Sequence, residues 1–171
     1  MGLSLDQQRF IDFASKEFDF LVKDFGYTAT PPETVCGIGL SFTKEFFPLK
    51  VTMGWYKGEI DFEFQLLLEN AVFRPYISRF FTLGDVVKHI DRNAISNALN
   101  ERPPLPRWVL SADDAHCILE YLAMLVQKFC LPILNGDFTV LEEITWERRK
   151  EWGQTEEERY GKLGHEGDNP S

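Results

Sequence analysis

From Leu49 to Leu66 the chain alternates apolar and polar side chains through two runs, LKVTMGWY and EIDFEFQL, separated only by Lys57-Gly58. A period of two marks a strand with one buried face, and a glycine-containing pair is the tight connection of a hairpin. Closing the hairpin there sets Trp55 opposite Ile60, Met53 opposite Phe62, Val51 opposite Phe64 and Leu49 opposite Leu66, so all the apolar residues share one side. A loop one residue longer puts Trp55 on the side of Glu59, a slip that exposes a whole hydrophobic row. The two-residue turn is therefore expected, although lysine suits its first position less well than asparagine. Upstream, Cys36, Ile38, Leu40 and Phe42 alternate with Gly37, Gly39, Ser41 and Thr43 and supply a third strand. An antiparallel meander results, with one face apolar beneath helices and the other polar.

Outside this stretch the apolar period is near 3.6. Ser4 and Gln7 form a capping box ahead of an expected helix from Leu5 to Phe25, in which Phe10, Ile11, Ala14, Phe18, Leu21 and Val22 make one stripe. Gly26 stops it, and Pro31-Pro32 reads as a link. Leu68 to Phe81 reads as irregular or as a short fourth strand. Thr82 caps a short helix, and ERPPLPRW is a stiff connector. Ser111 with Asp114 caps a helix whose stripe runs from Ala115 to Phe129, and Pro132 ends or kinks it. Thr139 and Glu142 open a last helix. The expected architecture is α+β: an N-terminal helix, a three- or four-stranded antiparallel meander, and C-terminal helices packed on one face of the sheet. Residues 1–152 form one domain and 153–171 a charged, flexible tail.

Composition narrows the partners. Acidic residues number 27 against 18 basic ones, for a formal charge of -9 and a pI near 4.8, which disfavours nucleic acid and anionic membrane surfaces and favours a basic protein partner. No apolar run approaches the roughly 18 residues that a spanning helix needs. Cys36, Cys117 and Cys130 lack paired spacing and MGLSLDQQRF lacks a signal-peptide pattern, so a soluble, cytoplasmic protein is expected.

Two readings compete for the acidic row. In one, Glu59, Asp61 and Glu63 solvate a strand at the sheet edge and discourage strand addition. In the other, Glu59, Asp61, Glu63 and Gln65 form an acidic ridge beside a bare floor of Gly37, Gly39, Ser41, Thr52 and Gly54, with Tyr56 as an anchor, and the ridge binds a basic partner. Catalysis has weaker support. Asp113, Asp114, His116 and Cys117 lie close in sequence, but adjacent helical residues point about 100° apart, so His116 cannot activate Cys117 directly. Asp113 and His116 alone make a poor metal site. CGIGLS lacks the lysine and the helix that a phosphate loop needs. No catalytic residue, cofactor or metal is therefore assigned; a small cysteine- and histidine-dependent enzyme stays as an alternative.

The opening helix ending in DFGY (24–27), the meander ending in EIDFEF, and the late NGDFTVLEEITWERR (135–149) together resemble the small acidic α+β immunity proteins of bacteria, and related uncharacterised bacterial proteins. That resemblance implies a cytoplasmic inhibitor that binds and blocks a toxin or effector. A further alternative is a subunit or adaptor of a larger bacterial assembly, docking through the aromatic and basic segment Phe73 to Phe81.

Overall fold

The computed structural model describes residues 3–33, 37–67, 80–100 and 104–160. Its elements run α1 (Leu5–Glu17), α2 (Asp19–Lys23), β1 (Thr28–Glu33), β2 (Ile38–Thr43), β3 (Leu49–Tyr56), β4 (Glu59–Leu66), β5 (Phe80–Thr82), α3 (Leu83–Ile90), α4 (Ala94–Asn100), α5 (Ala112–Phe129), α6 (Leu131–Leu134) and α7 (Thr139–Tyr160). The strands form one antiparallel sheet in the order β1-β2-β3-β4-β5, a meander as expected, but with five strands.

The hairpin register is the one that alternation demands: Trp55 faces Ile60, Met53 Phe62, Val51 Phe64 and Leu49 Leu66. Lys57 and Gly58 both take positive φ, 50° and 83°, as a hairpin of this twist requires. One sheet face is formed by Ile38, Leu40, Phe42, Val51, Met53, Phe62, Phe64 and Phe81, all buried, and the helices cover it. Phe10, Ala14, Phe18 and Leu21 come down from the N-terminal helices, and Ala115, Leu119, Val126 and Cys130 from α5 and its end. Stacking of Phe18 on Phe62, with ring centroids 5.2 Å apart, joins the two layers.

Several expectations are corrected. The opening helix is broken at Phe18, whose backbone (φ -104°, ψ 16°) leaves the helical range and separates α1 from α2. Thr28–Glu33 is an edge strand rather than a link; its prolines fall where the β1–β2 register shifts between Thr30 and Glu33. The last helix is capped by Asp137, whose carboxylate accepts from the backbone N–H and the hydroxyl of Thr139 (3.1 and 2.6 Å), and not by a Thr139–Glu142 box. Those two hydrogen bonds hold the Asp137 carboxyl below its ordinary range. The same helix continues past Trp152 to Tyr160, while 161–171 lie outside the described residues. Cys130 is buried as a small core residue, but Cys117 is exposed; Cys36 lies outside the described residues. The other three caps form: Ser4 with Gln7 and Ser111 with Asp114 as read, and Thr82 at the expected place, with Asp85 completing its box. No helix among the described residues is long and apolar enough to cross a membrane.

Candidate functional site

Opposite the helices, the polar side chains of the meander line up in rows across the strands. Gly39, Gly54 and Asp61 form one row, and Ser41, Thr52, Glu63 and Thr82 the next. Lys50, Gln65 and Phe80 form a third. Because Gly39 and Gly54 carry no side chain, the sheet surface sinks between the taller residues on either side. The result is a groove of about 330 Å³ whose wall carries Asp61, Glu63 and Gln65.

The predicted residues separate into two places. Asp61, Glu63 and Gln65 line the groove. Glu59 and Tyr56 face each other at the hairpin end of the same face, outside it. Tyr56 is 46% exposed, and the Lys57 ammonium lies 5.0 Å from its ring centre, so this anchor already holds a cation of its own chain. Gly37 lies just before β2 and does not line the groove: a Cβ there would lie 2.6 Å from the Trp55 carbonyl oxygen. Sequence reasoning missed Lys50 and Phe80, which also line the groove. Lys50 was accessible to it, since it alternates with Leu49 and Val51 and so shares the side of Thr52. Phe80 was not, because a three-residue strand carries no period to read. Of the aromatic and basic segment from Phe73 to Phe81, only Phe80 and Phe81 are described; the first is half exposed on the groove side and the second is in the core.

The edge-strand reading fails for Glu63. β5 pairs with β4 at Glu63, Phe64 and Gln65, so Glu63 sits within the sheet, between Thr52 and Thr82. Burial raises its carboxyl above the ordinary range, and repulsion from Asp61 adds to the effect. Glu63 is thus held where its charged form is disfavoured, and attraction to a cation placed against it would offset that cost.

The His116 region disperses. Asp113 pairs with Arg9 at 2.5 Å. Asp114 is used as a helix cap, accepting from the backbone of Leu110 and Ser111. His116 turns to Glu17, with Nε2 3.2 Å from Oε1, and not to Cys117. A larger groove, about 460 Å³, lies at the hairpin end beside Trp55 and Trp108. It offers one carboxylate, Asp6, and one ammonium, Lys57, without the concentrated charge of the sheet face.

The fold and site together define an α+β protein built on a five-stranded antiparallel meander with a charged groove on the side opposite the described helices. Comparison with protein-family models, with curated proteins and with solved structures finds no match to the chain.

Proposed function

We propose that this chain is a non-enzymatic protein-binding module, an immunity-type inhibitor of a basic toxin or effector in the cytoplasm, and that it receives a basic segment of its partner on the polar face of the sheet. The observation that carries this reading is Glu63, a carboxylate inside the sheet whose charge is disfavoured by burial and by Asp61, beside a floor kept bare by Gly54. An arginine or lysine from a partner would enter over that floor, neutralise Glu63 and Asp61, and leave Glu59 and Tyr56 to contact the flanking chain. Net charge of -9 speeds encounter with a cationic partner.

The test first looks for a toxin-like reading frame beside this one and, where there is one, uses its product as the partner. Binding to the wild-type chain is compared by calorimetry with binding to the triple variant Glu59→Lys, Asp61→Lys, Glu63→Lys, at low and at high salt. The expected result is a loss of about tenfold or more, with a flatter salt dependence, since complementary charge is removed from the contact. Equal affinity of the two proteins would eliminate the acidic face as the binding surface.

A further inference from the structure

We infer that Glu17, His116 and Glu120 form a binding site for a divalent transition-metal ion that clasps α1 to α5. His116 Nε2 lies 3.2 Å from Glu17 Oε1 and 3.7 Å from Glu120 Oε1, and one donor atom from each of the three residues falls within 4.8 Å of the others. Ligands bound at about 2.0–2.1 Å in a tetrahedral shell stand roughly 3.3 Å apart, so the two imidazole-to-carboxylate separations fit such an ion and the carboxylates would close on it by side-chain rotation, with a fourth position left for water.

Two further features set this cluster apart from a chance meeting of surface charges. The imidazole is stacked on Phe13, with centroids 4.2 Å apart and planes 9° from parallel, which fixes the ring and aims Nε2 between the carboxylates. His116 and Glu120 are one helical turn apart on α5, while Glu17 is the last residue of α1, so the donors converge from two separate helices. His116 and Glu17 are mostly buried and Glu120 is more open, which leaves an entry path on one side. One imidazole with two carboxylates suits zinc, cobalt or manganese better than calcium, which takes oxygen donors alone. Lys16, whose Nζ is 3.5 Å from Glu17 Oε1, is a neighbouring cation that a metal would displace. Binding requires neutral imidazole, so any proton carried by His116 leaves to solvent as the metal arrives. The site lies in the helical layer, away from the sheet groove, and does not depend on its function.

The experiment is a calorimetric titration of the full-length, metal-stripped chain with zinc chloride, repeated on Glu120→Gln, His116→Gln and Cys117→Ser, each checked by circular dichroism for retained fold. Cobalt is used in parallel for its visible absorption. The wild-type chain and Cys117→Ser are expected to take up one ion. Glu120→Gln and His116→Gln should each bind about tenfold or more weakly and lose the cobalt band. At about 100-fold excess over Kd, zinc should raise the wild-type melting temperature by about 5–10 °C, because it binds only the folded chain. Failure of the wild-type chain to bind zinc would overturn the inference. So would uptake unchanged in either Glu120→Gln or a folded His116→Gln, which would place the ion on Cys117, His165 or other groups. Glu120 is open to solvent, so its variant should stay folded and decides the matter even if His116→Gln does not fold.

Discussion

Gly54 offers a way to separate a glycine kept for the backbone from one kept for a ligand. It sits inside β3, paired with Gly39 on one side and Asp61 on the other. A Cβ built there meets only the Ile38 carbonyl oxygen, at 3.6 Å, an ordinary contact. Neither strain nor crowding requires glycine at this position. Glycine inside a strand costs about 0.5–1 kcal/mol in backbone entropy relative to alanine, and a β-branched residue adds to the gain. Gly54→Thr should therefore stabilise the fold by about 1 kcal/mol, a rise of about 2–4 °C in melting temperature for a chain of 171 residues. The same side chain would stand on the floor of the 330 Å³ groove and obstruct it, so affinity for the proposed basic partner should fall by about tenfold or more.

Gly37→Ala is the contrasting variant. Its φ is 151°, and its Cβ would sit 2.6 Å from the Trp55 carbonyl oxygen, a backbone atom that cannot move aside cheaply. It should cost about 2 kcal/mol or more. Thermal denaturation by circular dichroism reads the stabilities, and calorimetry with the partner reads the affinity. Destabilisation by Gly54→Thr comparable to that of Gly37→Ala would mean that Gly54 serves the sheet itself. A stabilised Gly54→Thr that binds normally would remove the groove floor from the interface.

Glu63 makes stability depend on pH in a direction that can be checked. Its folded-state carboxyl is raised by burial, so the unfolded chain gives up that proton more readily, and the penalty appears as pH rises through the raised value. Glu63→Gln should raise the melting temperature near neutrality by an amount worth under about 1 kcal/mol, given partial solvent screening, and the gain should vanish below the ordinary carboxylate range. A gain that persists at low pH would assign it to packing instead. Tyr27 is buried and its hydroxyl has no hydrogen-bond partner among the described residues. Tyr27→Phe removes that unpaired group and should stabilise by about 1–2 kcal/mol in a urea titration; a loss of stability would reveal a bound water or other partner. Cys130 is buried and its thiol is pushed up to about 12, whereas Cys117 is exposed. Alkylation of the native chain followed by mass spectrometry should label Cys117 first and Cys130 only on unfolding, and equal native labelling would contradict the packing at the end of α5.

What could be read in advance follows from which forces are local. The β3–β4 register was legible because a slip of one residue would invert the environment of every side chain from Leu49 to Leu66, so alternation and the Lys57-Gly58 turn admit one answer. Three helix caps were legible because each is made by residues three apart in sequence. The break at Phe18 was not, since the apolar stripe continues with the same spacing through both helices and Phe18 is buried in either case. Nor was β1, whose prolines speak against a strand unless it is known to lie at an edge. The Glu17–His116 contact spans 99 residues and arises only from the packing of α1 on α5, which no sequence pattern announces.

The same distinction bears on the acidic row. Alternation places Glu59, Asp61 and Glu63 on one face but says nothing of the neighbour beyond β4, and that neighbour makes the three carboxylates unequal. Glu59 and Asp61 precede the part of β4 that pairs with β5, stay exposed, and fit the role of charges that solvate a strand and keep it from pairing further. Glu63 lies under the pairing with Thr82, where solvation is reduced and where neither the strand nor its edge needs a charge. A threonine or glutamine there would suit the sheet better. If the proposed basic partner binds here, its cation would offset the desolvation and the Asp61 repulsion that disfavour the charge on Glu63, which the strand itself does not require.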